Sequence, residues 1–513
     1  MRGAESVVES LLAGGVDVCF ANPGTSEMHF VAALDRYPQM RGVLCLFEGV
    51  ATGAADGFGR MAVRPAAALL HLGPGLGNGL ANLHNARRAG TPLVVIVGEH
   101  AAGHKPLDSP LDSDIDAVAA TVSAWVRRPS ETASLGADVA DAIVAAQAGV
   151  TATLIVGADL SWSEGGIASS WPKPSEPQAA AALEIEEVLR TGRSTAILLD
   201  GDALTEESLR AANRVAQATG SRLLCPTWPA RLRRGSGVPP VTLLPYRGEA
   251  VRALLDGVSD LVLVGATRPV ASFAYPGQDG DLVPDGVRVH TLTAKGTSSG
   301  AALRLLADTL APSIAAKTAP SVRPQTRPGP LTVDNWAAVV GAVLPENAIV
   351  CDESITAGMD TLADALAGAP AHDVLGLTGL AIGQGLPLAA GAAIAAPDRP
   401  VICLEADGSA MYTISALWTH AREGLDVTTV ILNNRSYAIL RAELDRVGAR
   451  RGSAASEAMF DLSRPDLDFV RLAEGMGVPA TRATTVKELT TQIEKALAEP
   501  GPHLIEAVLS RRP

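Results

Sequence analysis

Cysteine and aromatic residues are both scarce in this sequence. The five cysteines lie far apart, and no two of them form a CxxC pair. This spacing argues against a disulfide framework or a zinc site, and it favours buried, reduced thiols of a cytosolic protein. The five are Cys19, Cys45, Cys225, Cys351 and Cys403. Aromatic residues make up only 4% of the chain whereas glycine contributes 50 residues, as expected of a closely packed α/β protein.

An excess of positive charge is also missing. The formal net charge is −13, which argues against a general nucleic-acid or anionic-membrane binder. One local basic cluster, Arg231–Arg234, is interpreted as a solvated loop. The first residues, MRGAESVVESLL, carry acids where a signal peptide would be apolar, so we expect a cytoplasmic protein.

Charge is absent altogether between Asp373 and Asp398, a stretch long enough to cross a bilayer. The stretch nevertheless contains five glycines, Pro387 and Gln384, and it lacks aromatic flanks. These residues make it too weakly apolar to favour lipid. The sequence therefore predicts a buried strand, loop and helix here, and no membrane segment.

The length of 513 residues corresponds to about three domains at roughly 150 residues each. Two stretches rich in proline, serine and glycine, Ser161–Gln178 and Ala311–Pro330, are typical of linkers. We therefore predict domains at residues 1–165, 180–312 and 331–513. In each, short apolar runs alternate with helical patterns, which predicts an α/β protein with three doubly wound parallel sheets. Ligands of such sheets bind beyond the carboxyl ends of the strands.

Two neighbouring predicted strands of the third domain end in oxygen-bearing side chains. PVICLE leads into Ala406-Asp407-Gly408-Ser409, and VTTVIL ends at Asn433-Asn434. Gly408 permits a tight turn, and Asp407 and Asn434 offer the hard oxygen ligands that suit Mg²⁺. An Asp-Gly-Ser turn alone is common and more often structural. The paired strand ends, with Asp407 and Asn434 27 residues apart, favour a metal site.

This pattern resembles the signature of the thiamine-diphosphate-dependent enzymes, GDGS followed by NN. The resemblance extends over essentially the whole chain through Glu48, the loop Asn22-Pro23-Gly24-Thr25, the run from His71 to Gly75, and the strand TPLVVIVG. Within that superfamily the chain is most similar to acetolactate synthase large-subunit-like proteins and to benzoylformate decarboxylase. Ala406 replaces the first glycine of the signature, a small change that we expect cofactor binding to survive.

The resemblance implies pyrimidine-binding, central and diphosphate-binding domains, in that order. Glu48 would hydrogen-bond the aminopyrimidine N1′, Ile382 would support the bent cofactor, and the Leu380 carbonyl would face the 4′-amino group. Asp407, Asn434 and the Ser436 carbonyl would hold Mg²⁺. The implied cofactor-binding residues are Pro23, Glu48, Ser354, Thr356, Leu380, Ile382, Asp407, Gly408, Ser409, Asn434, Ser436 and Tyr437.

The residues alone leave simpler roles open. Glu48 could be an acid at a helix N-terminus, Ile382 ordinary core, and Ser354 or Thr356 a helix cap. His100 and His104 have i, i+4 spacing, but Gly103 between them indicates a loop and not a zinc-binding helix.

Substrate residues are also implied by the resemblance. His71 and Thr25 align with the active-site histidine and serine of benzoylformate decarboxylase. We expect His71 at a strand end over a glycine-rich turn, where it could act as an acid or base or could equally be a core histidine. The second histidine of that enzyme falls near Ser272. Two residues of acetolactate synthases shape recognition of the second 2-oxoacid. The arginine falls at Thr267, with Arg268 one residue off, and the tryptophan falls near Glu443.

The expected activity is decarboxylation or carboligation of a 2-oxoacid, acetolactate-synthase-like, with thiamine diphosphate and Mg²⁺. A benzoylformate-type decarboxylase and a non-catalytic or regulatory paralogue are the alternatives. FAD is not expected, because residues 192–310 show no clear FAD pattern, and the glycines at 73–79 do not form the GxGxxG of a dehydrogenase. The family's active sites are shared between subunits, which implies a dimer or tetramer.

Overall fold

The computed structural model describes residues 1–170, 181–449 and 453–510. The first part of the chain contains a six-stranded parallel sheet with the strand order β2-β1-β3-β4-β6-β5. Its strands are β1 (Val18–Asn22), β2 (Arg41–Leu44), β3 (Ala66–Leu70), β4 (Leu93–Glu99), β5 (Trp125–Arg127) and β6 (Thr151–Gly157). The helices are α1 (Gly3–Ala13), α2 (Met28–Ala33), α3 (Glu48–Ala62), α4 (Leu72–Ala89), α5 (Ile115–Ala120), α6 (Leu135–Gln147) and α7 (Ala158–Trp162). All of β4 is buried, because alternate residues enter separate apolar clusters on the two faces.

The middle of the chain forms a five-stranded sheet in the order β10-β8-β7-β11-β12. Its strands, together with one that leaves this sheet, are β7 (Thr195–Leu199), β8 (Arg222–Cys225), β9 (Leu232–Arg234), β10 (Thr242–Leu243), β11 (Asp260–Val264) and β12 (Arg288–Thr293). The helices are α8 (Ala181–Arg190), α9 (Glu206–Thr219), α10 (Gly248–Leu255) and α11 (Gly300–Leu310). The five strands are parallel, as predicted.

The third sheet has seven strands in the order β17-β18-β16-β15-β13-β14-β9. Its own strands are β13 (Ile349–Glu353), β14 (His372–Gly376), β15 (Val401–Ala406), β16 (Val427–Asn433), β17 (Ala480–Ala483) and β18 (His503–Val508). The helices are α12 (Trp336–Val343), α13 (Leu362–Ala367), α14 (Gly385–Ala395), α15 (Asp407–Ala410), α16 (Ala416–Glu423), α17 (Ala438–Arg446), α18 (Ala454–Ala458), α19 (Phe469–Gly475) and α20 (Val486–Ala498). The predicted α/β fold with three sheets is thus confirmed. The third sheet departs from the predicted parallel arrangement at β9, which pairs antiparallel with β14.

The basic cluster at Arg231–Arg234 is not a solvated loop, and that interpretation is wrong. Leu232–Arg234 form β9, which pairs antiparallel with β14 at the edge of the third sheet, and Arg231 directly precedes it. The buried carboxylate of Asp373 accepts hydrogen bonds from Arg231 at 2.8 Å and Arg399 at 2.6 Å, with Arg233 at 3.5 Å. A buried carboxylate needs charged partners, so the arginines are held against the sheet.

The charge-free stretch folds as predicted into β14, a loop and α14. In the described part of the chain, none of the helices combines the length and apolar character that a membrane crossing requires. Of the two predicted linkers, residues 311–329 form neither helix nor strand. Ser161 belongs to α7, and residues 171–178 lie outside the described residues. The three domain boundaries stay predictions.

Helices α3 and α14 join the first and third sheets through one continuous apolar core. Small residues make the contact possible. A Cβ at Gly53 would lie 2.7 Å from the ring of Pro387, and one at Gly391 would clash with the Ala54 carbonyl. This close packing fixes α3, whose first residue is Glu48, against the helix that follows the predicted cofactor loop.

Candidate active site

Glu48 is the first residue of α3 and is 7% exposed. Its Oε2 accepts a hydrogen bond of 3.0 Å from the Asn78 amide on α4. Gly75 faces the other oxygen, where a Cβ would lie 3.2 Å from Oε1. The carboxyl group is therefore held in place while a glycine leaves space beside it. Both helices start at the carboxyl edge of the first sheet, the edge at which ligands bind in α/β proteins.

His71 lies at the same edge, between β3 and α4. Its Nδ1 lies 2.8 Å from Oε2 of Glu27, which also accepts a hydrogen bond of 2.8 Å from the Gly24 amide. A Cβ at Gly24 would clash with the imidazole ring, so only glycine fits there. Burial raises the pKa of Glu27, and the Gly24 amide and His71 oppose this rise.

Glu27 was not predicted as a site residue. The available signal was an acidic residue only two positions after the candidate Thr25. The glycines after His71, expected to form a turn, are part of the 18-residue helix α4, and that expectation is wrong. Pro23 is half-buried and Thr25 is exposed at the start of the short 3-10 helix Thr25–Glu27, beside Gly24 and its contact with His71.

Asp407 and Asn434 follow β15 and β16, and both carboxyl ends lie side by side as predicted. The two oxygens of Asp407 accept hydrogen bonds from the amides of Gly408 at 2.8 Å and Arg435 at 2.6 Å. Burial raises the pKa of Asp407 to about 6, against the lowering effect of the backbone amides. The Asn434 side-chain oxygen accepts from the Ser436 amide at 2.8 Å.

These groups supply hard oxygen atoms and only one carboxylate. Among the described residues, no group of three or more His, Cys, Asp and Glu side chains could hold a metal ion. A site with one or two protein ligands that leaves positions for phosphate and water is typical of Mg²⁺. The Ser436 hydroxyl is already engaged by the Phe460 carbonyl and Arg441, and its carbonyl also accepts from the Ala438 amide.

Tyr437 covers the turn after Asp407. A Cβ at Gly408 would clash with the Tyr437 ring, so the turn and the ring are in close contact. Ser409 is buried in α15. Ser354 is also buried, but its hydroxyl donates to Asp352 at 2.6 Å and makes no cap hydrogen bond.

The loop before α14, which contains Leu380 and Ile382, is held by side chains from α4 and from the segment after α15. The Asn85 amide donates to the Ala381 carbonyl at 2.8 Å, and the Thr413 hydroxyl donates to the Gly383 carbonyl at 2.9 Å. Leu380 has a φ of +60°, a left-handed conformation that non-glycine residues rarely adopt. Ile382 is half-buried, as is Thr356 after β13.

A cavity of about 230 Å³ opens beside Leu380 and is bounded mainly by the central sheet and its loops. Thr267, Arg268 and Ser272 line it, so the positions aligned with substrate residues of relatives lie near the loop. Glu443 binds the hydroxyls of Tyr246 at 3.3 Å and Tyr275 at 2.7 Å.

His100 and His104 lie outside regular helices, as expected, with their rings 5.3 Å apart. His100 Nε2 is 2.8 Å from the Ser109 hydroxyl. This hydrogen bond occupies one of the two nitrogens of His100.

Comparison with known proteins identifies the family. Two family models match: thiamine pyrophosphate enzyme, N-terminal TPP binding domain, over residues 1–120, and the C-terminal TPP binding domain over residues 369–507. The "Putative acetolactate synthase large subunit IlvX" of Mycobacterium tuberculosis is 58% identical over 99% of both chains. The chain belongs to the thiamine pyrophosphate enzyme family. The chain is also similar to benzoylformate decarboxylase of Pseudomonas aeruginosa, with 30% identity over 97% of both chains.

Solved structures of thiamine-diphosphate-dependent enzymes share the whole fold. The 4-hydroxybenzoylformate decarboxylase of Rhodococcus jostii RHA1 has a TM-score of 0.85 at 25% identity, with 100% of both chains covered. The "putative thiamin diphosphate-dependent enzyme" from Mycobacterium smegmatis has a TM-score of 0.81 at 22% identity, again over 100% of both chains. The protein is thus a thiamine-diphosphate-dependent enzyme with the α/β fold of three sheets that its family shares.

Proposed function

We propose that this enzyme uses thiamine diphosphate and Mg²⁺ to decarboxylate a 2-oxoacid, and then releases an aldehyde or joins the remaining fragment to a second carbonyl. The observation that carries the proposal is Glu48. Its buried carboxyl group starts α3, is fixed by Asn78, and faces space left by Gly75. In the proposal, residues 1–165 hold the aminopyrimidine, 180–312 form the central domain, and 331–513 hold the diphosphate.

The signature region fits a magnesium diphosphate. Asp407 is a buried carboxyl group whose pKa is raised to about 6, and a divalent cation would favour its charged form. Asn434 and the Ser436 carbonyl would complete the protein ligands, and Ser409 and Tyr437 flank the same turn. Thr356 would offer its backbone amide to the phosphates. Ser354 would lie beside them, with its amide and its hydroxyl both hydrogen-bonded to Asp352.

Bound thiamine diphosphate supplies the electron sink for loss of the substrate carboxylate. The residues of the chain would orient the cofactor and the substrate and would transfer protons to them. Glu48 would hold a proton shared with the aminopyrimidine N1′, a task suited to a carboxyl group in a dry site. Leu380 would accept from the 4′-amino group through its carbonyl. The Ile382 side chain would support the bent conformation of the cofactor.

His71 would move a proton at the substrate. Its Nδ1 is bound by Glu27, which leaves Nε2 for the substrate side. This arrangement fixes the imidazole orientation, as carboxylates commonly do for functional histidines. The exposed Thr25 would provide a hydroxyl at the same edge.

We also propose a dimer or tetramer with shared active sites. Apolar side chains are exposed beside both proposed halves of the site: Leu46 is 50% exposed two residues before Glu48, and Tyr412 is 56% exposed after Ser409. A second subunit would cover these side chains and remove their apolar surface from water.

A benzoylformate-type decarboxylase without carboligation is the second candidate. His71 and its partner Glu27 favour it, because they provide a proton donor for the product-forming step. The positions aligned with the synthase residues for the second substrate hold Thr267 and Glu443, and Glu443 is engaged by two tyrosines. The 58% identical relative named as an acetolactate synthase large subunit keeps the first candidate in front.

A substrate screen tests the proposal. Pyruvate, benzoylformate and branched 2-oxoacids are each incubated with enzyme, thiamine diphosphate and Mg²⁺, and CO₂ and acetolactate are measured. We expect CO₂ from at least one acid, loss of activity on chelation, and a rate reduced by about 10²- to 10⁴-fold in Glu48→Gln. A colourless protein is expected, since FAD is not part of the proposal. Cofactor binding without turnover of any acid would instead favour a non-catalytic paralogue.

A further inference from the structure

Two buried glutamates lie side by side under the proposed cofactor loops. Glu353 ends β13 and Glu405 lies near the end of β15, and the two residues are partners in the parallel ladder. Their side chains therefore point to the same face of the sheet, beneath the first turn of α14. Both are almost completely buried, with 1% and 0% exposure. Carboxyl groups are costly to bury unless hydrogen bonds compensate, so their contacts indicate what they do.

Glu353 binds the loop that leads into α14. Its two oxygens accept hydrogen bonds from three successive backbone amides, Gly383 at 2.6 Å, Gln384 at 2.7 Å and Gly385 at 2.6 Å. Glu353 therefore holds the loop of Leu380 and Ile382 at the end of β13, beside the strand β15 that leads into Asp407.

Glu405 makes a different set of contacts. Its Oε2 accepts a weak hydrogen bond from the Cys403 thiol at 3.8 Å, and its Oε1 has no hydrogen-bond partner in the described part of the chain. The carboxyl group fills the space beside Gly385, where a Cβ would clash with it. Glu405 thus packs against the loop, whereas Glu353 binds the loop amides.

The loop needs such a hold because its backbone is unusual. Leu380 has a φ of +60° and Gly383 a φ of +90°. Glycine adopts such values readily, but the conformation of Leu380 persists only where surrounding contacts determine it. The Gln384 side chain extends the connection further, because its amide donates to Asp56 of α3 at 2.6 Å.

From these contacts we infer that Glu353 is a positioning residue for the cofactor. It holds the loop of Leu380 and Ile382 in register with the Asp407 turn, so that the site for the aminopyrimidine and the site for the diphosphate keep a fixed separation. The inference rests on the proposed function, and it assigns Glu353 no contact with the cofactor itself.

The test compares two ligands that differ in the part the loop would hold. Thiamine diphosphate and inorganic pyrophosphate, each with Mg²⁺, are titrated calorimetrically into the intact protein and three variants. In Glu353→Gln we expect the Kd of thiamine diphosphate to rise by at least about tenfold, because an amide group replaces an acceptor of several hydrogen bonds. The Kd of pyrophosphate should change less than about twofold. A general loss of structure would weaken both ligands alike.

Glu405→Gln is the matched control, since it makes the same chemical change on the neighbouring strand, and both Kd values should stay within about twofold. Asp407→Asn should weaken both ligands. If Glu353→Gln does not fold, Glu353→Asp replaces it, with the same selective weakening expected from a shorter carboxylate. An unchanged thiamine diphosphate Kd, or equal weakening of both ligands, would overturn the inference while Asp407→Asn still upheld the proposed function. No binding of thiamine diphosphate by the unmodified protein would overturn both.

Discussion

Removal of the Asp56 carboxylate should destabilise the protein strongly. Asp56 lies in α3 and is fully buried. Its two oxygens accept hydrogen bonds from Nε and Nη2 of Arg60, at 2.9 Å and 2.6 Å. Thr91 and Gln384 also donate to it, at 2.5 Å and 2.6 Å. Asp56→Ala leaves a buried cation without its counterion, for which the expected loss is about 3–5 kcal/mol.

The loss should be large because Arg60 connects α3 to the third sheet and to the segment before its edge strand β9. Besides Asp56, it donates to the carbonyl of Gly376 at 2.8 Å, the hydroxyl of Thr378 at 3.0 Å and the carbonyl of Ala230 at 3.3 Å. In an Asp56→Ala/Arg60→Met double variant the stranded charge is gone. Its destabilisation should fall short of the sum of the two single changes by about 1–3 kcal/mol.

Urea unfolding followed by tryptophan fluorescence measures the effect, with the first transition used because a chain of three sheets need not unfold in one step. The exposed pair Asp17–Arg64, 2.6 Å apart, is the control. Asp17→Ala should cost no more than about 1 kcal/mol because solvent screens such a pair. Additive effects of Asp56→Ala and Arg60→Met, or a loss equal to that of the control, would refute the reasoning.

Three further outcomes are expected. Glu27→Gln should lower kcat by about tenfold or more with little change in KM, measured with the substrate found in the screen, because His71 loses its fixed orientation. Gly408→Ala should raise the Kd of thiamine diphosphate, measured by calorimetry, since the new methyl displaces the Tyr437 ring; an unchanged Kd would contradict the close contact. Burial lowers the pKa of His420 to about 4, below the value near 6.5 of an unfolded histidine. The stabilisation by neutral His420 is therefore present above about pH 6.5 and is lost as the pH falls towards 4, by up to about 3 kcal/mol. The Tm of His420→Gln should consequently fall less between pH 7.5 and pH 5 than the Tm of the unmodified protein.

The parallel strands and the signature turns could be predicted because their signals are local. Continuous apolar runs mark strands that are covered on both faces, and Asp407 and Asn434 directly follow two of them. The charge-free stretch was likewise predictable, since its glycines and Pro387 do not suit lipid.

The edge strand β9 could not be predicted from its own residues. Three arginines within four residues look solvated until the fold places Asp373, 140 residues away from Arg233, beside them. The pairing of Glu27 with His71 is equally non-local, because the two residues lie 44 positions apart.

Helix α4 escaped prediction for another reason, namely that glycine disfavours helices. The structure explains why glycines are nevertheless present in this helix. A Cβ at Gly73 would clash with Ser113, and one at Gly79 would lie 2.9 Å from Thr52. Tertiary packing therefore overrides local preference where α4 approaches α3.

The buried thiols provide a built-in reporter of opening motions. Cys19 and Cys45 belong to the first sheet region, Cys225 to the central sheet, and Cys351 and Cys403 to the third, and all five are free and buried. Burial raises the pKa of Cys19 and Cys45 to about 12, so they resist alkylating reagents while their surroundings stay closed. Alkylation followed by mass spectrometry would therefore time the opening of each sheet separately, in the unaltered protein and without an introduced probe.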